Sequence, residues 1–343
     1  MKDFNLGMGV HWINMGYKEL VEIIQTAETL GYHMIAADNE KFYPYMYVTM
    51  TVIAENTSSV LVGSHVVDPY TQHPAMGAIA HASVDMVSGG RTVMILGAGG
   101  TGFREMRIHR ARPAQMLKEA ILFTREFWKA EPMEFHGEVL HFDHGQMNFT
   151  PRQGIPIYIA SRGDLVLRAA GEVADGVMIA TYAEPVGIRH GLDRVAEGAR
   201  RAGRRLEDLT IFSRCDTCVS EDRKRAYDSI RNNVAIFLWT SYPDRKFVHR
   251  VGLEVPPALE EILAKRDYEM MLDHAYMVPD EFVDKLTWAG TPDEVAEKIA
   301  RVVDMGIDNI TIAPAPLKGG TIRDTVVACG EQVKPRVKAL LSG

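Results

Sequence analysis

Cysteine is scarce in this sequence, with only Cys215, Cys218 and Cys329 among 343 residues. So few thiols exclude a disulfide framework and suit a reducing compartment. Long apolar runs are missing as well. Nowhere does the chain reach the roughly 18 consecutive apolar residues that a membrane span needs. The opening MKDFNLGMGV carries neither an apolar signal core nor a small-residue cleavage site. A cytoplasmic protein without membrane association is expected. Positive charge is not in excess either. The net charge is −7, so no basic field gathers nucleic acid or anionic lipid. What is present is ordinary for a soluble domain with a full core: 46% hydrophobic and 24% charged residues.

Strand and helix patterns alternate along the chain. Strand-like segments cover 4–10, 32–38, 60–67, 92–99, 155–161, 176–181, 209–219 and 307–314. Between them run helical patterns. In 17–30, Leu20, Ile23, Ile24, Ala27 and Leu30 share one face and Gly31 stops the helix. Pro44, Pro74 and Pro113 open others, at the helix position where a missing N–H costs nothing. Most of these strands are continuous apolar runs, the pattern of a parallel sheet covered on both faces. Eight such units favour a closed α/β (β/α)8 TIM barrel over an open sheet. The whole chain, 1–343, is expected to be one barrel domain with two additions. One is a hairpin near 131–150. The other is a helical insertion near 220–290, which reads equally as a lid or substrate wall and as added core or dimer surface.

The GAGGTG string at 97–102 satisfies G-x-G-x-x-G, but its context argues against a dinucleotide-binding turn. The residues that follow, FREMRIHRAR, are basic and lack an apolar helical stripe. The glycines instead suit a strand end against which a planar cofactor can lie, or a plain tight turn. Ala160-Ser161-Arg162-Gly163 closes the fifth strand and leads into a helix start. Free N–H groups, a hydroxyl and a guanidinium there suit a phosphate. An N-cap beside a surface arginine explains the string too, but phosphate sites of barrels favour late strand ends. Asp38 and Asn39 end the second strand and His65 ends the third, so their polar groups face the barrel mouth. His136, His141 and His144 in the hairpin lack a metal-ligand spacing, and no metal is expected. Cys215 and Cys218, three apart in a strand, point to opposite faces.

Three strings carry a family resemblance: 46–100 (YMYVTMTVIAENTSSVLVGSHVVDPYTQHPAMGAIAHASVDMVSGGRTVMILGAGG), 154–180 (GIPIYIASRGDLVLRAAGEVADGVMIA) and 278–299 (VPDEFVDKLTWAGTPDEVAEKI). The chain resembles the luciferase-like barrel family, and within it the branch of the deazaflavin-dependent methylenetetrahydromethanopterin reductases. The resemblance implies a hydride-transferring oxidoreductase that uses coenzyme F420 and a small-molecule substrate, and works as a homodimer. Two alternatives stay open: an FMN-dependent monooxygenase fed by a flavin reductase, and a flavin-binding barrel without turnover. It further implies a non-proline cis peptide at His65–Val66, within Ser64-His65-Val66, against which the cofactor ring lies. Asp38 would sit near the ring and Gly97, Ala98 and Gly99 beside it. Ala160, Ser161, Arg162, Gly163, Ala180 and Thr181 would take the phosphate. Asp38, Glu40, His65 and His11 are the candidates for proton handling. Two departures stand out. The reductase branch has a glutamate on its first strand where this chain has Gly9, and the sugar-phosphate-oxidising relatives have a histidine where it has Asn39. The first departure argues against a methanopterin substrate.

Overall fold

The computed structural model describes residues 3–342; Met1, Lys2 and Gly343 of the expected domain lie outside the described residues. In chain order come β1 (Asn5–Val10), α1 (Tyr17–Thr29), β2 (Met34–Asp38), α2 (Met46–Asn56), β3 (Leu61–His65), α3 (Pro74–Ser88), β4 (Thr92–Leu96) and α4 (Pro113–Phe127). A hairpin of β5 (Met133–His136) and β6 (His141–Gly145) follows, then β7 (Ile157–Ser161), α5 (Asp164–Val173), β8 (Gly176–Ala180), α6 (Pro185–Arg201) and β9 (Thr210–Val219). Five helices come next: α7 (Arg223–Thr240), α8 (Lys246–Arg250), α9 (Pro257–Ala264), α10 (Tyr268–Asp273) and α11 (Asp280–Leu286). The chain ends with β10 (Trp288–Gly290), α12 (Pro292–Asp304), β11 (Asn309–Pro314), α13 (Ile322–Ala328) and α14 (Lys334–Leu340).

The strands β1, β2, β3, β4, β7, β8, β9 and β11 pair in parallel and close on themselves. Asn5 opposite Asn309 joins the first strand to the last, and Ala180 opposite Arg214 joins β8 to β9. This is the (β/α)8 barrel expected from the alternating pattern. Helix faces follow the same logic, since α1 buries Leu20, Ile23, Ile24 and Ala27, the 3–4 spacing of one stripe. Gly31 at φ +70° ends it. At α3, Pro74 occupies the first turn and the His73 ring accepts from Ala75 N–H. Helices α5 and α6 pack backbone against backbone. A Cβ at Gly198 would lie 1.9 Å from the Arg168 carbonyl oxygen, and one at Gly171 2.1 Å from that of Val195.

The hairpin is held by one carboxylate. Glu119 on α4 accepts from the N–H groups of Glu138 (2.8 Å), Val139 (3.0 Å) and Leu140 (2.8 Å). Burial opposes its ionisation, but Gln115 and these N–H donors together hold its pKa below the ordinary value.

Three features differ from the sequence reading or lie beyond it. The fourth strand stops at Leu96 rather than Gly99, because the glycines leave the sheet. The helix pattern of 292–304 covers the return from β10 to β11, and the cover after β11 is α13 and α14. Strand β10 is three residues long and pairs with the overhanging end of β9 through Trp288–Thr217, Ala289–Cys218 and Gly290–Val219.

Two cores result. Leu20, Ile53, Phe123, Trp288 and their neighbours fill the layer between strands and helices. Met34, Val93, Ile95, Tyr158, Met178 and Phe212 fill the barrel itself. The strand period of two then decides the mouth. Two or four residues beyond the inward side chains of β2, β8 and β9 come Asp38, Ala180, Arg214 and Asp216.

Candidate active site

Asp38 is the centre of the mouth. Its side chain is 5% exposed, and three groups converge on it. His65 Nδ1 lies 2.5 Å from Oδ1, His11 Nε2 3.2 Å from Oδ2, and Arg214 Nη2 3.7 Å from Oδ1. Burial opposes ionisation of Asp38, yet His11, His65 and Arg214 outweigh it and hold the carboxyl far below the usual range. The His65 pKa is lowered, by burial first and by Arg214 next, against the pull of Asp38. His65 is therefore a neutral imidazole near neutral pH, donating from Nδ1 to a fixed carboxylate. Gly9 is part of this arrangement, because a Cβ there would lie 2.8 Å from Asp38 Oδ2.

Arg214 and Asp216, both missed by the sequence reading, form the opposite side. Asp216 Oδ1 lies 3.5 Å from Arg214 Nη1, and its Oδ2 accepts from Asn233 Nδ2 at 2.7 Å. Arg214 is 9% exposed and its Nε has no hydrogen-bond partner among the described residues. The signal lay in the seventh strand pattern, LTIFSRCDTCV, where two charges alternate with apolar residues. Cys215 faces outward, its thiol donating to the Leu286 carbonyl at 3.2 Å.

Two adjoining cavities open here. One, of about 370 Å³, runs from Gly9 and His11 past Arg214 to Pro314 and Ile322. The other, of about 390 Å³, runs from His65 and Glu40 to Trp239 and Tyr268. His11, Asp38, Arg214 and Asp216 line both. Glu40 accepts from the Thr101 hydroxyl.

The peptide bond between His65 and Val66 is cis. Asn39 holds this stretch, its N–H donating to the His65 carbonyl at 2.7 Å and its Nδ2 to that of Val66 at 2.8 Å. Ser64 is fully buried, and its hydroxyl accepts from Ile95 N–H at 2.8 Å. Its hydroxyl thus bridges the β3–β4 ladder just ahead of the cis peptide. The glycines of β4's end also serve the chain itself. A Cβ at Gly97 would lie 2.8 Å from Val66, and one at Gly99, which has φ +72°, 2.5 Å from Phe103. Ala98 lies between them, half-buried.

A third cavity, of about 400 Å³, lies at the start of α5, among Arg162, Gly163, Asp164, Ser241, Lys246 and Arg250. Arg162 rests on the Phe247 ring at 4.5 Å and donates to Thr181 Oγ1 at 3.4 Å and to Ser241 Oγ. Thr181 thus ends up beside the Arg162 guanidinium, with Ala160, Ser161 and Ala180 half-buried on the strand ends. Gly163 N–H donates to Ser161 Oγ at 3.0 Å. The insertion supplies Ser241, Lys246 and Arg250, which sequence reasoning did not connect to a phosphate. The hairpin histidines stand apart from all of this: exposed His136 and His144 lie 3.5 and 4.0 Å from Glu134.

A family model described as luciferase-like monooxygenase matches residues 4–309. The chain belongs to this luciferase-like family. Among its relatives is the 5,10-methylenetetrahydromethanopterin reductase of Archaeoglobus fulgidus, 27% identical over 338 residues, which cover 96% of this chain and 99% of that one. The F420-dependent glucose-6-phosphate dehydrogenase of Nakamurella multipartita is 26% identical over 341 residues, 95% and 94% of the two chains. The structure of the coenzyme F420 dependent tetrahydromethanopterin reductase from Methanopyrus kandleri superposes with a TM-score of 0.83 at 22% identity, covering 98% and 99%. This luciferase-like chain thus shares nearly its full length with those relatives.

Proposed function

We propose that this protein is an oxidoreductase that moves a hydride between coenzyme F420 and a small organic substrate. The observation that carries the reading is the Asp38 cluster at the barrel mouth, reached from one side by His65 and from the other by His11 and Arg214. The residues present fit the coenzyme. A cavity in which Arg162, Lys246 and Arg250 outnumber Asp164 and Asp244 at a helix start suits its phosphate. Val66, Gly97 and Ala98 form the rim toward which its ring would turn, and when bound it supplies the two-electron chemistry.

The chain's own groups then handle the proton and the geometry. His11 is the more accessible histidine, 43% exposed, and lines both mouth cavities. It gives or takes the substrate proton at one ring nitrogen while Asp38 orients the ring through the other. His65, neutral and enclosed, keeps the carboxylate in place. Glu40 borders the same space through Thr101. Residues 220–290 act as the substrate wall of a single barrel domain. A homodimer and a cytoplasmic location belong to the same reading. Exposed Phe42, Tyr43, Tyr45 and Val48 favour the first, and three free, buried thiols favour the second. Among the described residues, no helix is long and apolar enough to cross a membrane.

The test is cofactor titration by fluorescence quenching, followed by turnover in crude substrate extracts. Binding of F420 with a change in its absorbance and no oxygen uptake is expected. FMN binding with oxygen consumption on adding a flavin reductase would instead establish the monooxygenase.

A further inference from the structure

The cavity at the start of α5 suits an anion, yet two carboxylates stand in its wall. Arg162, Lys246 and Arg250 line it together with Asp164 and Asp244, which leaves one net positive charge. Both acids are held in place. Asp164 Oδ1 accepts from His190 Nε2 at 2.9 Å and from Arg250 Nη2 at 3.2 Å. Burial opposes its ionisation, but His190 and Arg250 outweigh it and keep its pKa below the ordinary value. Arg250 is fixed in turn, its Nη1 donating to the Tyr182 hydroxyl at 2.8 Å. Asp244 accepts from the Lys246 N–H at 2.8 Å. It also lies near enough to Arg162 to pull, with Tyr182, against the burial that lowers the arginine's pKa.

A carboxylate repels an anion, and the repulsion grows with the anion's charge. A phosphomonoester loses its second proton at about pH 6 and carries nearly two negative charges at neutral pH. A phosphodiester carries one at any such pH. Three cations set against two carboxylates neutralise the single charge and leave a second one uncompensated. The shape agrees with the charge. A monoester phosphate ends its molecule, whereas a diester continues beyond the phosphorus and needs a way out. Pro113 and Leu165 line this cavity and also a neighbouring one of about 370 Å³, so the two adjoin across those side chains. Leu165 is 67% exposed, and that edge is open.

We infer that this cavity selects a phosphodiester over a phosphomonoester. Asp164 and Asp244 are the specificity residues that turn away the second charge, and the edge at Pro113 and Leu165 is the exit for the second ester arm. The inference rests on the reading above that the coenzyme's phosphate lies here. The phosphate of F420 is a diester and that of FMN a monoester, so two aspartates separate the proposed coenzyme from its rival.

The experiment compares ligands in pairs that share a ring and a sugar chain: FMN with its phosphate methyl ester, and the deazaflavin 5′-phosphate with F420. Each is titrated into the full chain by fluorescence quenching. At pH 7.5 the diester of each pair is expected to bind at least about tenfold more tightly. The gap should narrow at pH 5.5, where the monoester regains its proton. Protein groups that titrate in this range, His190 beside Asp164 among them, act on both members of a pair and leave their ratio to the ligand. Asp244→Asn and Asp164→Asn should each raise monoester affinity several-fold and change that of the diester by less. An acid in the first turn of a helix also stabilises the helix itself. If that were the whole role of Asp164, its variant would shift urea unfolding and leave the ligand order unmoved. A monoester bound as tightly as its diester at pH 7.5, or a gap that neither variant narrows, would overturn the inference. So would an Arg162→Met variant that binds all four ligands like the wild type. If the diester order holds while F420 transfers no hydride, the oxidoreductase reading falls and the cavity's selection stands.

Discussion

Asp38 unites three partners that each need its charge, so the isosteric change Asp38→Asn isolates that charge from shape. The amide can still accept one hydrogen bond but no longer holds a neutral His65 and an oriented His11 together. The kcat is expected to fall by about 10²-fold or more, while F420 binding at Arg162 stays within a few-fold of the wild type. A variant with full turnover would remove Asp38 from the chemistry. His81, on α3, offers a test of a different kind. Both its ring nitrogens are buried without partners among the described residues, and burial, only partly offset by Asp85, lowers its pKa to about 3. In the folded state it resists a proton that the unfolded chain accepts below about 6.5. Its contribution to stability is therefore complete above that pH and is lost progressively as pH falls toward 3. The loss amounts to roughly 2 kcal/mol at pH 5. His81→Leu should flatten the acid limb of the stability curve measured by urea unfolding, and an unchanged limb would exclude this role.

Secondary elements carried most of what the sequence could say. Continuous apolar strands alternating with amphipathic helices place eight β/α units within a few residues, because period and capping are local properties. The register of those strands is not local, and it decides which polar side chains meet. Asp38 and His65 were legible as strand-end residues. Arg214 with Asp216 was written in the alternation of β9, but its importance depends on Asp38 lying across the barrel. Ser241, Lys246 and Arg250 come from an insertion whose docking no periodicity reveals. The Glu119 clasp on the hairpin turn was equally hidden, since it joins a helix to a loop nineteen residues on. Helix packing gives this scale its own prediction. Gly198 brings α6 to within touching distance of the α5 backbone, so Gly198→Ala must part the two helices. Despite alanine's better helix propensity, the variant should lose about 1–3 kcal/mol in chemical denaturation. Gly203→Ala, where no atom lies within 4 Å but φ is +69°, should lose less, by strain alone.

At the scale of the whole molecule, ligand and fold share one free energy. Arg162 and Gly163 from the barrel and Ser241, Lys246 and Arg250 from the insertion surround one cavity, so a bound phosphate ties the two together. F420 at about a hundred times its Kd should add about 2.7 kcal/mol to unfolding. The shift should appear in a thermal melt and shrink in Arg162→Met. A melt indifferent to F420 would show that this cavity does not take it.

Strand β9 outruns the barrel and meets β10 there, and Ser220 N–H donates to the Gly290 carbonyl at 3.1 Å. Everything between those two residues therefore leaves and rejoins the molecule through a single neck. The segment also braces the barrel, since Asn233 holds Asp216 and Asp284 meets Lys298, so any replacement must carry those partners with it. Because the same segment supplies Lys246 and Arg250 to one cavity and Trp239 and Tyr268 to the other, replacing it should retune selectivity and cofactor retention together, never one alone.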